Sequence, residues 1–268
     1  MTTVAPADLL ATIVAATRRA VRFRESACAI GDLARQTVRV PQGAAFVNAL
    51  RRSAAPRIIA ECKRRSPSRG ILRERYDAAV HADSFADAGA AAISVLTEPT
   101  FFDGSPDDLR AVRAAVSIPV LRKDFIVTDY QILEAAALGA DAVLLIVGAL
   151  DDVSLKRLLD LATGRGLAAL VEVHDSEELA RAMEAGASII GVNSRNLRTL
   201  TVNHDVLERL APEYLRAGGA GILVAESGIR TGDDIRRLSG AGYDAFLVGE
   251  RLITESDPGA ALRELRTS

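Results

Sequence analysis

Charged and amide side chains cluster at the ends of short apolar runs in this chain. IIAECK ends on Glu61, Cys62 and Lys63, PVLRKD ends on Lys123 and Asp124, and AALVEV carries Glu172. IIGVNS carries Asn193 and is followed by Arg195, and GILVAES ends on Glu226 and Ser227. Charges are seldom left inside a core strand without partners. A single Glu–Lys pair such as Glu61 and Lys63 reads equally as a structural ion pair, but five runs ending this way are not explained so. Lysines set beside carboxylates are the equipment of general acid–base catalysis. The ammonium stabilises developing negative charge and hands over a proton, and the carboxylate removes one.

The runs themselves indicate how these residues are positioned. Eight are present: Ile58–Lys63, Ala92–Thr97, Pro119–Asp124, Ala142–Val147, Ala168–Val173, Ile189–Ser194, Gly221–Ser227 and Ala245–Glu250. Their near-continuous apolar character predicts strands covered on both faces, as in parallel sheets. Segments of helical spacing lie between them, for example Tyr76–Ala88, Tyr130–Leu138, Leu155–Ala162 and Glu177–Ala185. The runs start at intervals of roughly 21 to 34 residues, the size of a βα unit. Several helical segments end on Gly and Ala before the next run (DAGAAAI, ALGADAV, EAGASII, GAGYDAF), a left-handed C-terminal closure. Asp175 and Ser176 before EELARAM, and Thr231 before GDDIRRL, read as N-cap regions with acids in the first turn.

Eight such repeats predict an α/β fold of the (β/α)₈ TIM-barrel type. A doubly wound sheet would show fewer strands and a glycine-rich turn after the first, where this chain has RRSPSRG. In a (β/α)₈ barrel the reacting groups stand at the C-terminal ends of the strands, where Glu61, Lys63, Lys123, Glu172, Asn193 and Glu226 fall. Period-two alternation sets Glu61 and Lys63 on one face of their strand and Cys62 on the other, toward the helices. Ser227-Gly228-Ile229 and Gly249-Glu250 follow the seventh and eighth strands, the recurrent phosphate cradle of this fold. Gly228 and Gly249 allow backbone N–H groups to approach an anion closely, and Arg195 adds a charged fork.

Residues 1–57 precede the first strand and are expected to form a helical extension to one barrel domain spanning 1–268. Leu10, Val14, Thr17 and Val21 share a helical face, a second helix is expected over Ala44–Arg52, and the arginines between 18 and 24 read as a solvated face. With 33 Lys+Arg against 35 Asp+Glu, the charge balance gives no reason to expect a nucleic-acid partner. No apolar run approaches the roughly 18 residues of a membrane span, and MTTVAPADLL lacks the pattern of a secretory leader. Two cysteines, Cys28 and Cys62, make neither a disulfide framework nor a zinc ribbon, so a cytoplasmic setting is expected. No His/Asp/Glu spacing suggests a metal site.

Seven segments, IIAECKRRSPSRG, ISVLTEPTFFDGS, PVLRKDFI, LVEVHD, IIGVNSRNL, VAESGI and FLVGE, resemble in order the motifs of the indole-3-glycerol-phosphate synthase family. The resemblance covers residues 56 to 252 and is clearest in AE-x-K-x-x-SPS-x-G and LRKDFI. It implies a lyase of tryptophan biosynthesis that converts 1-(2-carboxyphenylamino)-1-deoxyribulose 5-phosphate to indole-3-glycerol phosphate with loss of CO₂ and water. By motif, Lys123 resembles the general acid of ring closure and Glu172 the acid–base residue of dehydration. Lys63 resembles the lysine that meets the substrate carboxylate and acts as a second acid, and Glu61, Asn193 and Glu226 resemble orienting groups. Ser66, Arg195, Ser227, Gly228, Gly249 and Glu250 fall at phosphate or substrate contacts, and Pro67 and Phe101 at apolar contacts to the aromatic ring.

The chemistry fits such a set. The substrate carries a carboxylate at one end and a phosphate at the other, which Lys63 and the Arg195/Gly228/Gly249 group would meet. Attack of the ring carbon on the ketone develops negative charge on oxygen, which Lys123 can neutralise. Decarboxylation restores an aromatic ring, so no metal and no cofactor is expected. The expected partner is the small phosphorylated substrate alone, bound by a monomer. Cys62 is expected to pack in the core. His174 is expected to cap or face solvent, and His81 and His204 are given no role. A related phosphoribosylanthranilate isomerase would need a carboxylate and thiol pair, which fits the lysines poorly. An inactive sugar-phosphate binder would have lost one of Lys63, Lys123 and Glu172.

Overall fold

In the computed structural model, which describes residues 8–36 and 39–267, eight parallel strands close into a barrel. They are β1 (Arg57–Cys62), β2 (Ala92–Leu96), β3 (Val120–Lys123), β4 (Ala142–Ile146), β5 (Ala168–Val173), β6 (Ile189–Asn193), β7 (Ile222–Glu226) and β8 (Ala245–Val248). Each pairs with its neighbour in sequence. Closure comes from β8 on β1, with Arg57 opposite Ala245 and Ile58 opposite Phe246. The runs end as strands one or two residues before their polar tips in several cases, because those tips turn out over the barrel mouth. Val147 begins a 3₁₀ turn, and Gly249 caps the next helix.

Outside the barrel lie α4 (Ala78–Asp87), α5 (Pro106–Ala115), α6 (Asp129–Leu138), α7 (Asp152–Gly164), α8 (Ser176–Glu184), α9 (Asp205–Arg216) and α10 (Gly232–Ala241), followed by α11 (Glu250–Ile253) and α12 (Pro258–Thr267). Side-chain caps start most of them. Asp175 accepts from the Glu178 N–H at 2.9 Å, and Thr231 with Asp234 forms a reciprocal capping box, which satisfies N–H groups that have no partner within the helix. Gly139 and Gly242 close α6 and α10 in the left-handed conformation.

Strand alternation divides the core into two layers. Ile58, Ala60 and Cys62 point out to the helices with Ile93, Val95, Val143 and Val171. Ile59, Leu121, Leu144, Leu170, Val224 and Leu247 fill the barrel. Cys62 packs as expected, its Sγ 3.7 Å from the Ala78 carbonyl, and burial pushes its thiol well above the ordinary range. The extension supplies α1 (Leu9–Ala27), α2 (Ile30–Gln36) and α3 (Gly43–Arg52). Leu10, Ile13, Phe46 and Leu50 join the inner layer, so α3 plugs the N-terminal end of the barrel. At that end Asp141 is fully buried. It accepts from the Gln42 and Val120 N–H groups at 2.9 and 3.1 Å and pairs with Arg39 and Arg113.

Three features depart from the sequence reading. A two-stranded hairpin, Arg65–Ser66 with Gly70–Ile71, occupies the segment after β1. Helices α2 and α12 are not anticipated by the periodicity. Arg24 is not merely solvated: its guanidinium holds both oxygens of Glu134 on α6, at 2.7 and 3.1 Å. Glu134 in turn holds Arg122, a fully buried arginine of β3 that also pairs with Asp124. No helix among the described residues is long and apolar enough to cross a membrane.

Candidate active site

The C-terminal ends of the strands open into a cavity of about 840 Å³. Its floor is apolar, with Leu96, Leu144, Ile146 and Leu247, and Phe102 and Phe125 stand at one side with ring centroids 6.0 Å apart. Glu61, Lys63, Lys123, Glu172, Asn193, Arg195 and Glu226 all line it, although they come from five strands.

At the centre, Lys123 Nζ donates to Glu172 Oε2 at 3.2 Å and lies 3.5 Å from Glu226 Oε2. Glu172 has one further donor and one ion-pair neighbour on its other oxygen. Asn193 Nδ2 donates to Oε1 at 3.0 Å, and His174 Nε2 is 3.3 Å away. Asn193 is itself fixed, its Oδ1 accepting from the Arg195 N–H at 2.9 Å. Just past β1, Lys63 Nζ donates to Glu61 Oε1 at 2.5 Å. Two glycines make room for the carboxylates. A Cβ on Gly249 would come within 2.5 Å of Glu61 Oε1, and one on Gly191 would collide with Glu226 Oε1.

The crowding separates the protonation states of these groups. Burial works against the charge on Lys123, but Glu172, Glu226 and Glu61 outweigh it and hold the ammonium above its ordinary range. Burial also opposes ionisation of Glu172, yet Lys123, His174 and Asn193 hold its carboxyl well below the usual range. Glu226 goes the other way. Burial first, and then the charge on Glu172, push it up to about 8 against the pull of Lys123. Neither of its oxygens has a hydrogen-bond partner among the described residues. Two carboxyls with separated pKa values and a shared ammonium are an acid–base set for neutral pH.

The other end of the cavity suits an anion. Ser227 and Gly228 take consecutive positive φ values of 66° and 74°, a backbone form that costs energy at a serine and is found mainly where function requires it. The Ser227 carbonyl is held by Ser194 Oγ at 3.1 Å. Gly249, the N-cap of α11, and Glu250 lie beside this turn in the cavity wall. Arg195 donates to Ser68 Oγ and to the Leu200 carbonyl, both at 3.2 Å, and its Nη2 is 3.8 Å from Glu250 Oε2. Ser66 and Pro67 line the same wall.

Phe101 does not line the cavity, whereas its neighbour Phe102 does. Glu98 sets this loop by accepting from the N–H groups of Thr100, Phe101 and Phe102 at 2.7–3.1 Å. The sequence reading passed over Glu98, as well as Ser68 and Arg69, which also reach the cavity. His204, given no role, is part of the wall too, its ring packed against Gly228. His174 neither faces solvent nor caps: its Nδ1 is 2.9 Å from Glu178 Oε2 and its Nε2 faces Glu172. The signal for Phe102 was the FF doublet, of which periodicity alone cannot choose one member.

Comparison with known proteins gives the fold and the family. Two solved barrels share the fold at low identity: KGPDC from Streptococcus mutans (15% identity, TM-score 0.63, covering 79% of this chain and 96% of that one) and thiamine phosphate pyrophosphorylase from Pyrococcus furiosus (18%, 0.59, 83% and 96%). At these identities they speak for the fold alone. The sequence relatives are much nearer. The chain is 50% identical to an indole-3-glycerol phosphate synthase of Mycolicibacterium vanbaalenii over 98% of its own length and 95% of the relative's. It is 53% identical to that of Carboxydothermus hydrogenoformans over 78% of each. The family model for indole-3-glycerol phosphate synthase matches residues 10–265, from the N-terminal helix through the last, so the barrel, its extension and the Lys123–Glu172 centre belong together as a member of that family.

Proposed function

We propose that this protein, as an indole-3-glycerol phosphate synthase, performs ring closure, decarboxylation and dehydration with Lys123 and Glu172 as its principal acid and base. The observation that carries the reading is the Lys123–Glu172 contact of 3.2 Å, set between two cation-bearing ends of one cavity. The substrate, 1-(2-carboxyphenylamino)-1-deoxyribulose 5-phosphate, lies with its phosphate toward Ser227, Gly228, Gly249 and Arg195. Its carboxylate lies toward Lys63, and its aromatic ring lies near Pro67 and Phe102.

In the first step the ring carbon bearing the carboxylate attacks the ketone carbon, and the Lys123 ammonium protonates the ketone oxygen as charge develops there. The carbon–carboxylate bond then breaks, its electrons restore the aromatic ring, and CO₂ leaves. In the last step Glu172 takes a proton from the newly closed ring while the hydroxyl departs as water, its proton supplied by Lys63 or by Glu226, which holds a proton at neutral pH. Glu61 and Asn193 orient Lys63 and Glu172. We take the enzyme to be a cytoplasmic monomer acting on a free small molecule, with no nucleic-acid or membrane partner, which gel filtration and cell fractionation can check.

The test is direct. Purified protein given the anthranilate-derived ribulose phosphate should release CO₂ and develop indole fluorescence without added metal or cofactor, and EDTA should have no effect. Absence of indole product at saturating substrate would overturn the reading and leave a protein that only binds the sugar phosphate.

A further inference from the structure

His174 stands two residues beyond Glu172, at the turn from β5 into α8, and its side chain is largely buried. Its ring lies between two carboxylates. Nδ1 is 2.9 Å from Glu178 Oε2, and Nε2 is 3.3 Å from Glu172 Oε1. Glu178 also accepts from the His174 backbone N–H at 2.9 Å. One carboxylate of α8 thus fixes both the main chain and the ring. The Glu178 N–H is in turn held by the N-cap Asp175 at 2.9 Å, which locks the first turn of α8. The ring does not line the cavity. It meets the site through Glu172.

We infer that His174 is a positioning residue whose ring, clamped by Glu178 through Nδ1, sets Nε2 against Glu172 Oε1 from behind and leaves Oε2 as the oxygen that faces Lys123 and the substrate. This inference rests on the reading of Glu172 as the base. Glu172 Oε1 accepts from Asn193 Nδ2 at 3.0 Å and lies 3.3 Å from His174 Nε2, a nitrogen with no hydrogen-bond partner among the described residues. The Asn193 hydrogen bond and the ring of His174 both act on Oε1, which disfavours rotation of the carboxylate and keeps Oε2 aimed at Lys123. A fixed direction for the reacting oxygen is worth rate, because proton transfer needs near-final geometry.

The charge state follows from the neighbours. Burial opposes protonation of His174, but contacts with Glu172 and Glu178 outweigh it and raise the imidazole to about 10. The groups that face Glu172 are Lys123 from β3, Asn193 from β6, Glu226 from β7 and His174 itself, with Glu61 of β1 acting on Lys123 and Glu226. Of these only Lys123 and His174 bring positive charge. Removing the charge on the ring takes away one of the two cations that hold Glu172 ionised and makes Glu172 harder to ionise.

Two measurements test this. The chain has three histidines, so imidazole nitrogen resonances are few. In the wild-type protein His174 should be doubly protonated at pH 8, and in Glu178→Gln its titration should fall back toward the ordinary histidine range. In His174→Gln, kcat should fall roughly 10- to 100-fold with KM within about twofold, and the acid limb of the kcat profile should move to higher pH. Glu178→Gln, which leaves the ring in place, should move the limb in the same direction by less. A His174 that is neutral at pH 8, or a His174→Gln variant whose kcat and acid limb match wild type, would overturn the inference. Turnover retained in Glu172→Gln would instead overturn the base assignment and the clamp with it, so the two failures are told apart.

Discussion

At the scale of single residues, Lys123 serves Glu172 and Glu226 while Lys63 holds Glu61, and the protonation pattern decides what each can do. Lys123 is held charged, so on the proposed mechanism Lys123→Ala removes both a proton donor and the charge that stabilises the ketone oxygen. Its kcat should fall by more than the roughly 10²–10⁴ credited to one general acid, with single-turnover kinetics showing the loss before CO₂ release. Glu172→Gln should bind substrate, release CO₂ and stall before indole. Simultaneous loss of both signals would place Glu172 in the first step. Glu226 makes a separate prediction about stability. Its folded value of about 8 lies above the ordinary carboxyl value, so the folded state binds a proton that the unfolded state releases. The group's stabilisation is therefore complete below the unfolded pKa and lost as pH rises through 8. Glu226→Gln keeps the shape without the ionisation. Its Tm relative to wild type should rise across pH 5 to 9, by roughly 2–4 °C per kcal/mol recovered, and a Tm difference flat with pH would refute the shift. Much of this centre was legible in the sequence, because polar residues at the tips of apolar runs have few structural reasons to be there. Sequence spacing could not show that His174 meets Glu178 and Glu172, because the meeting depends on where α8 starts against β5. Nor could it choose Phe102 over Phe101, which Glu98 decides through backbone N–H groups.

At the scale of elements, the strands were readable because burial on both faces leaves an apolar run that helices do not mimic at that length. Helix α2 is seven residues long, too short for periodicity to register. Arg122 was also opaque, since a lone charge within a predicted strand carries no mark of its partners. Those partners tie α1 to the site. Arg24 on α1 holds Glu134 on α6, Glu134 holds Arg122 at 2.7 Å, and Arg122 with Thr97 holds Asp124. Arg122 and Asp124 flank Lys123 in sequence, so this chain of ion pairs sets the backbone from which the lysine projects. Glu134→Ala leaves the buried guanidinium with one carboxylate in place of two. Losing one partner of a buried pair costs about 3–5 kcal/mol, so Tm should drop on the order of 10 °C. Arg24→Ala removes a partly exposed partner and should cost about 1 kcal/mol or less. Equal losses from the two in thermal unfolding would mean that the network is anchored by α1 rather than by the barrel.

At the scale of the whole molecule, the two ends of the barrel carry different tasks. The N-terminal end is closed by α3 and by the fully paired Asp141, an arrangement that serves stability. The C-terminal end is drawn together by ion pairs across the first, sixth and eighth units. Arg69, in the hairpin after β1, donates to Glu250 Oε1 at 2.7 Å, and Arg195, after β6, lies 3.8 Å from Glu250 Oε2. Arg73 adds bonds from the same segment to the Ile253 and Glu255 carbonyls at 3.1 and 2.6 Å. A net charge of -2 does not favour long-range attraction of an anionic substrate, so on the proposed reading these local guanidiniums recognise its phosphate. On that reading Glu250 competes with the phosphate for Arg195 and Arg69 and repels it directly. Neutralising it should therefore help binding. Because all three side chains are partly exposed, the contest is worth at most about 1 kcal/mol. Glu250→Gln should accordingly lower KM by roughly two- to fivefold with kcat little changed. Inorganic phosphate should raise the Tm of the variant more than that of wild type, as expected for a tighter ligand of the folded state. Arg195→Ala should do the reverse, raising KM and weakening the effect of phosphate on Tm. A KM that rises in Glu250→Gln would show that the carboxylate holds the substrate itself, through a hydroxyl, and that Arg195 meets the phosphate without competition.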